Sequence, residues 1–194
     1  MAIGDYITFV PSFEIFPNNN IVCKSADNRS GIVILLGILQ AICQESLETN
    51  VIVVVSVQEE IGLRGAKIIG NNMNADYCIA IDVTNATDIP NVSHMKYGEI
   101  TVGGGVAIAI GPNFNQNLQN QIINLAVLNK IKYQIECIPY NSGTDINAIQ
   151  IANKGYVTSL ISIPCRYMHT PVELISLEDI ISAITLSEKI CKIL

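Results

Sequence analysis

The sequence predicts an α/β fold: a three-layer α/β/α sandwich with a mostly parallel mixed sheet. Segments rich in β-branched residues alternate with segments of helical length and pattern, which is typical of strands joined by crossover helices. The composition is 49% hydrophobic and only 14% charged, so we expect a core that is buried on several sides. A chain of 194 residues is long enough for one sizeable domain.

The first twenty residues differ from the rest of the chain, because they hold three of the four Phe and two of the seven Pro and end in a run of Asn. TFVPSFEIF (8–16) predicts an edge strand interrupted by Pro11, and PNNN (17–20) predicts a turn.

From residue 21 onward, strand and helix patterns alternate. VIVVVSV (51–57) is apolar and β-branched almost throughout, which predicts a central strand covered on both faces. Thr144 or Asp145 is the expected N-cap of one helix. The predicted strands are 21–24, 51–57, 77–82, 103–111, 132–137 and 156–163, and the predicted helices are 30–46, 63–72, 115–130, 144–153 and 177–194.

Composition also excludes several classes of function. The net charge of −6 gives no basic surface for nucleic acid. The longest apolar run, IVILLGILQAIC from Ile32, is too short to span a bilayer, so we expect a buried helix and no membrane segment. Residues 1–20 lack the pattern of a signal peptide. The six cysteines are widely separated without a CxxC pair, which favours reduced, buried thiols in a cytoplasmic protein over disulfides.

Polar residues follow four of the predicted strands at the point where each strand ends. They are Asp27, the adjacent pair Glu59 and Glu60, Asp82, and His169. Taken singly, each has a structural explanation: an acid at a helix N terminus, a turn residue, or a hydrogen-bonded core histidine. Ligands bind at the carboxyl ends of strands in open α/β sheets, and four independent accidents at one edge are improbable. The sequence therefore predicts a site there.

Carboxylates and an imidazole that converge favour a divalent metal site for Zn, Co or Mn. A carboxylate shared by two ions can hold them about 3.5–4 Å apart, which suits hydrolysis. This chemistry would explain Glu59 and Glu60, because one can bind a metal while its neighbour acts as a base toward water.

Other motifs point to weaker candidates. GGGVAIAIG (103–111) matches no phosphate-binding loop, and its glycines favour close approach of backbone, with substrate as one candidate. Ser142 has no histidine nearby in the sequence, which argues against a serine hydrolase. Arg29 and Arg166 flank the expected site and could pair with its acids or with a substrate carboxylate.

Five segments around these residues resemble metallopeptidase family 42. The family includes glutamyl and leucyl aminopeptidases and TET-type particles, and some members were formerly described as endoglucanases or cellulases. The segments occur in family order and extend over nearly all of residues 18–194: KSADNRSG, VQEEIGLRGA, AIDVT, SGTDINAIQI and IPCRYMHTPVE.

The resemblance implies a zinc-peptidase-like fold and a site for two divalent metal ions, Zn or Co. Asp27 would bridge the ions, Glu60 and His169 would bind one of them, Asp82 would bind the other, and Glu59 would be the general base. The implied reaction removes N-terminal residues from short peptides by means of a metal-bridging water. The resemblance assigns no substrate-binding residue.

The resemblance departs from the family at the N terminus. It implies that residues 1–18 are the tail of an inserted β domain and that residues 19–194 are the C-terminal part of the catalytic domain. The family's first metal-binding His has no counterpart, since His94 matches no ligand position and is interpreted as a loop residue. One metal position would then be weakened or empty. We also expect exposed apolar surface, to be covered by another chain or by self-association.

Three hypotheses about the function remain. The first is a di-metal aminopeptidase. The second is a catalytically incomplete metal-binding or interaction protein, and the third is an unrelated di-metal hydrolase. The sequence leaves open whether the chain is a fragment, a truncated gene product or a short paralogue. It also leaves open whether the chain forms a homo-oligomer.

Overall fold

The computed structural model describes residues 1–194, which form two sheets and six helices. The strands are β1 (Phe13–Phe16), β2 (Asn20–Cys23), β3 (Tyr77–Asn85), β4 (Val106–Ile110), β5 (Tyr133–Cys137), β6 (Val157–Cys165) and β7 (Glu173–Ser176). The helices are α1 (Ala26–Ile42), α2 (Arg64–Asn72), α3 (His94–Tyr97), α4 (Gln116–Leu128), α5 (Ile146–Gln150) and α6 (Leu177–Cys191), and a 3₁₀ turn covers Pro17–Asn19.

The main sheet has four strands in the order β3-β6-β4-β5. β3 is parallel to β6 and β4 is parallel to β5, while β4 and β6 are antiparallel. The predicted mostly parallel mixed sheet is therefore confirmed. Because the sheet changes direction between β6 and β4, only β3 and β6 end at the edge where Asp82 and the residues before His169 lie.

Helices cover both faces of this sheet, as the three-layer prediction requires. Alternate strand residues such as Val83, Ile108 and Ile161 face α1, α4 and α6 in a core of 19 buried residues. On the opposite face, Ala109 and Leu160 pack with Ile146 of α5 in a smaller cluster, and α2 packs against α5.

A second sheet, β1-β2-β7, is antiparallel throughout and was not predicted. IVCK was predicted to belong to the parallel sheet, but β2 instead pairs with β7, with Cys23 opposite Glu173. The edge strand predicted within residues 8–16 is confirmed by β1, and the turn predicted at residues 17–20 is confirmed by the 3₁₀ turn at Pro17–Asn19. The division of the chain at residue 18 stays a prediction.

The prediction that VIVVVSV is a buried central strand is wrong. Residues 51–56 form no strand and make no backbone–backbone hydrogen bond, and Ile52, Val55 and Val57 are each more than half exposed. A central strand needs a neighbouring strand on each side to satisfy its backbone N–H and C=O groups, and covering elements to bury both faces. β3, the edge strand of the main sheet, is bonded only to β6, so this segment has neither neighbour.

Helix boundaries differ from the predictions at both ends, and four of the five predicted helices end earlier than expected. α1 begins at Ala26, earlier than predicted, although Asp27 and Asn28 depart from helical φ and ψ values. Asn115 caps α4 by accepting a hydrogen bond from the Leu118 N–H at 3.0 Å. Asp145 occupies the N-cap position of α5 but its side chain makes no capping bond.

All six cysteines are free thiols, as predicted, but only Cys78 and Cys165 are buried, and the prediction of burial is wrong for the exposed Cys43 and Cys137. None of the helices combines the length and apolar character that crossing a bilayer requires.

Candidate metal centre

Asp27 lies at the start of α1, on backbone that the neighbouring segments fix. Its N–H donates to Glu173 Oε2 at 3.0 Å. The next residue, Asn28, donates through Nδ2 to the Ile81 carbonyl at 2.9 Å and to Asp82 Oδ1 at 3.0 Å. Asn28 therefore ties the segment carrying Asp27 to the end of β3. Gly31 is required beside it, because a Cβ there would lie 2.4 Å from Asn28 Oδ1.

Glu59 and Glu60 lie in a tight turn before α2. The Glu59 carbonyl accepts hydrogen bonds from the N–H groups of Gly62 at 3.0 Å and Leu63 at 2.9 Å. The turn is closed where the Gly65 N–H donates to the Val57 carbonyl at 2.9 Å. A Cβ at Gly65 would lie 2.5 Å from that carbonyl oxygen, so the EEIGLRGA segment needs glycine at this position.

His169 follows β6 and is held with a left-handed backbone at φ 63°. Its N–H donates to Glu173 Oε1 at 2.9 Å. The buried carboxylate of Glu173, on β7, thus fixes the backbone of both Asp27 and His169.

These segments bring three of the predicted ligands together. His169 Nε2 lies 3.1 Å from Asp27 Oδ2 and 3.4 Å from Glu60 Oε2, and one ligand atom from each residue lies within 4.8 Å of the others. Two carboxylate oxygens and an imidazole nitrogen form a donor set that suits Zn²⁺ or Co²⁺, so the residues fit the implied metal.

Glu59 and Asp82 line the same cavity of about 410 Å³ as the three clustered residues. Asp82 is not part of the three-residue group, and its Oδ1 accepts from Asn28 and from the Val83 N–H at 2.8 Å. The structure therefore places all five predicted residues at one cavity but clusters only Asp27, Glu60 and His169.

The cavity is strongly acidic, and this changes how its carboxyls ionise. Burial, followed by the charge of Glu60, raises the pKa of Asp27 to about 6. Burial and the charges of Glu60, Asp145 and Asp27 raise the pKa of Glu59 to about 7. Burial also raises the pKa of Asp82 to about 7, against the opposing bond from the Val83 N–H. A bound dication would favour the ionised forms.

Sequence reasoning missed three polar residues near this cavity: Asn28, Glu136 and Glu173. Asn28 and Glu173 lie inside the segments that resemble the family. No sequence pattern, however, distinguishes a residue that binds a metal from a residue that only orients such a ligand. Glu136 stands within a predicted strand, where a single acid among apolar residues was the only available signal.

Several other expectations have clear outcomes. Arg166 pairs with Asp88 through two hydrogen bonds of 2.8 and 2.6 Å, not with an acid of the cavity, and Arg29 makes no ion pair.

His94 lies outside the cavity, in α3 and not in a loop, with Nε2 3.0 Å from the Thr87 carbonyl. The Ser142 hydroxyl lies 2.9 Å from that of Thr144.

The glycines at 103–105 do permit close approach of backbone, as predicted, but not toward the cavity. The N–H groups of Gly103 and Gly105 donate to the buried Asp179 carboxylate at 2.7 and 2.8 Å. A Cβ at Gly105 would lie 2.3 Å from the Lys132 backbone.

The family model for M42 glutamyl aminopeptidases matches residues 1–186. The chain belongs to this family. Among curated relatives, a lysyl aminopeptidase from Pyrococcus furiosus is 35% identical over 96% of this chain and 52% of the relative. A glutamyl aminopeptidase from Lactococcus lactis is 29% identical over 95% of this chain and 51% of the relative.

Solved structures of M42-like peptidases share the fold. An aminopeptidase from the archaeon Desulfurococcus kamchatkensis superposes with a TM-score of 0.86 at 32% identity, over 95% of this chain and 52% of that one. The TET1 peptidase of Pyrococcus horikoshii can assemble into a tetrahedron or a large octahedral shell. It superposes with a TM-score of 0.83 at 27% identity, over 96% of this chain and 54% of that one. This M42 chain thus spans about half the length of the relatives that it matches.

Proposed function

We propose that the chain carries the metal-binding and proton-transfer residues of a di-metal aminopeptidase that removes N-terminal residues from short peptides. The observation that carries the proposal is the convergence of Asp27, Glu60 and His169 within 4.8 Å, at a cavity also lined by Glu59 and Asp82. Membership of the M42 family supports the same reaction. In this proposal residues 19–194 are part of a catalytic domain and residues 1–18 the tail of an inserted β domain.

Each residue has a distinct role in the proposed reaction. Asp27 would be shared between two divalent ions, Zn or Co, with Glu60 and His169 on one side and Asp82 on the other. Bound ions would supply positive charge to activate water and polarise the peptide carbonyl. Glu59 would accept a proton from water and pass it to the leaving amine, a role supported by its place in the lining of the cavity and outside the three-residue group.

The experiment combines metal analysis with hydrolysis of aminoacyl p-nitroanilides by the metal-loaded chain. We expect bound Zn²⁺ or Co²⁺ and measurable turnover. Glu59→Gln is expected to lower kcat by about 10²–10⁴-fold while metal content stays unchanged, because it removes the base and not a ligand. His169→Ala is expected to lower metal content. Glu99→Gln, an exposed acid outside the cavity, is the matched control and should change neither.

A second candidate function is a metal-binding protein without turnover. It is favoured by the position of Asp82 outside the three-residue group, which leaves one metal position with fewer ligands. Metal binding without hydrolysis, with Glu59→Gln indistinguishable from wild type, would support it. A sample that binds neither Zn²⁺ nor Co²⁺ would contradict both candidates.

The relatives' names leave the preferred N-terminal residue open, since one is a lysyl and the other a glutamyl aminopeptidase. Assembly into a homo-oligomer is likewise a proposal, supported by the TET1 peptidase.

A further inference from the structure

The turn that carries Glu59 and Glu60 follows a segment with very few polar contacts of its own. Residues 51–56 make no backbone–backbone hydrogen bond. Throughout residues 46–56 a single group forms a hydrogen bond, the hydroxyl of Ser56, which donates to Asp145 Oδ2. The place of this segment beside the cavity therefore depends on that bond.

Asp145 is mounted on structure that the main sheet fixes. It stands at the start of α5, and its carbonyl accepts hydrogen bonds from the N–H groups of Ala148 and Ile149, each at 3.1 Å. The next residue, Ile146, is fully buried and packs with Leu160 of β6. Because α5 is anchored in this way, the Asp145 carboxylate is a rigid acceptor.

α5 also supports the other end of the turn. α2 follows the turn and packs against α5. A Cβ at Gly70 of α2 would lie 3.4 Å from the Ile149 Cα and 2.8 Å from the Ala152 Cβ, so the two helices are in close contact. The same helix thus fixes the chain on both sides of Glu59 and Glu60, on one side by packing and on the other through Ser56.

The side chain of Asp145 has Ser56 as its one hydrogen-bond partner. It makes no capping bond to α5, although the residue occupies the N-cap position. Its Oδ1 is shielded from water and has no partner, and the residue does not line the cavity. Asp145 therefore contacts neither a substrate nor a metal in the cavity, and by contact it acts on the site only through Ser56.

We propose that Asp145 is a positioning residue, which by accepting a hydrogen bond from Ser56 holds Glu59 and Glu60 in the place that proton transfer and metal binding require. The inference rests on the proposed aminopeptidase function and adds to it a residue outside the cavity. Misplacement of a reacting group by about 1 Å can cost about 100-fold in rate. Loss of the bond should therefore lower kcat and leave KM within about threefold, because the cavity wall itself is unchanged.

The kinetic test uses an aminoacyl p-nitroanilide that the metal-loaded wild type hydrolyses. Ser56→Ala and Asp145→Ala are each expected to lower kcat by about 10–100-fold, and the double variant no further, because both remove the same bond. Asp145→Asn removes the charge, which contributes to the raised pKa of Glu59, but keeps an oxygen that can accept from Ser56. It should stay within about threefold of wild type if the hydrogen bond is what matters. Ser46→Ala removes an exposed hydroxyl of the same segment and is the matched control.

Hydrogen exchange of the metal-free chain, followed by NMR, gives a readout that does not depend on activity. The N–H groups of Gly62, Leu63 and Gly65 are hydrogen-bonded within the turn. They should exchange about tenfold faster or more in Ser56→Ala and Asp145→Ala, and at the wild-type rate in Asp145→Asn and Ser46→Ala. The amides of β6 should keep their protection in every variant, which shows that the rest of the chain is folded.

The two readouts separate failure of this inference from failure of the proposed function. Absence of turnover in every chain, with the expected exchange pattern, would contradict the aminopeptidase and still support the role of Asp145 in holding the turn. Unchanged exchange in the turn, or wild-type kcat in Ser56→Ala, would overturn the inference. Equal losses in Asp145→Asn and Asp145→Ala would assign the effect to charge and also overturn it, as would faster exchange throughout β6.

Discussion

Glu173 illustrates at the scale of a single residue how the site is assembled. Its two carboxylate oxygens accept hydrogen bonds from the N–H groups of Asp27 and His169, which lie on distant parts of the chain. It is buried and is not one of the three clustered ligands. Loss of a partner that orients metal ligands typically lowers metal affinity by about 10–100-fold.

We predict that Glu173→Gln weakens Zn²⁺ binding by about 10–100-fold. The amide keeps one acceptor oxygen but turns an NH₂ group toward the second backbone N–H, so one of the two bonds is lost. Competition with a chromophoric chelator measures the change, and Glu99→Gln should bind Zn²⁺ as wild type does. Equal affinity of Glu173→Gln and wild type would show that the ligands do not depend on this carboxylate.

The turn from Val57 to Gly65 is the element that presents Glu59 and Glu60. Its two ends meet where the Gly65 N–H donates to the Val57 carbonyl. The other backbone hydrogen bonds within the turn are the two that the Glu59 carbonyl accepts and one from the Arg64 N–H to the Gln58 carbonyl at 3.2 Å. A short element with so few anchors depends on each of them.

We predict that Gly65→Ala destabilises the chain by about 1–3 kcal/mol, because the added Cβ would lie 2.5 Å from the Val57 oxygen and force the turn open. Urea unfolding of the metal-free chain measures this loss. Gly143→Ala is the matched control, since a Cβ there meets no atom within 4 Å, and it should alter stability by less than about 0.5 kcal/mol. A Gly65→Ala variant as stable as Gly143→Ala would mean that the turn can relax without cost.

Sequence periodicity predicted most elements, and its two failures on strands share one cause. β3, β6 and α4 have patterns that their own packing satisfies, and they occur close to where they were predicted. Residues 51–57 have the composition of a central strand, but a strand forms only where another strand supplies hydrogen bonds, and composition does not show whether that partner is present. For the same reason the pairing of β2 with β7 was not predictable from IVCK alone.

At the scale of the whole molecule, the five polar residues predicted to form a site line one cavity, although only part of the reasoning that grouped them holds. His169 follows the end of β6, as that reasoning required, whereas Asp82 lies inside the parallel neighbour β3, before that strand ends. Asp27 instead follows a strand of the antiparallel sheet, and Glu59 and Glu60 follow a segment that is not a strand. The geometric clustering of Asp27, Glu60 and His169 depends on tertiary hydrogen bonds through Asn28 and Glu173, which have no sequence periodicity.

We predict that the metal-free chain loses stability as pH rises from about 4 to above 7. The carboxyls of Asp27, Glu59 and Asp82 have pKa values of about 6, 7 and 7, above the value of about 4 expected after unfolding. Between these values the folded chain binds more protons, so the stability these groups contribute is present below about pH 4 and is lost through pH 6–7.

Thermal unfolding with a chelator and with Zn²⁺ at pH 5 and pH 8 checks this prediction. Zn²⁺ should raise Tm more at pH 8, because fewer protons compete for the ligands. The Asp82→Asn variant should reduce the pH dependence of the metal-free chain. The lowered pKa of Asp88 acts in the opposite direction, but only below about pH 4. A chelator-treated chain whose Tm at pH 8 is as high as at pH 5 would contradict the prediction.

The antiparallel sheet β1-β2-β7 has a consequence for the kinetics of folding. It joins a strand near the N terminus to one that follows His169, and the hydrogen bond that Glu173 accepts from the Asp27 N–H connects residues 146 apart. Contacts of such long sequence separation form late, because closing the chain between them costs entropy before any contact is gained. Asp27, Glu60 and His169 therefore meet only when nearly the whole chain has folded, so uptake of a metal by this group would report the last stage of folding.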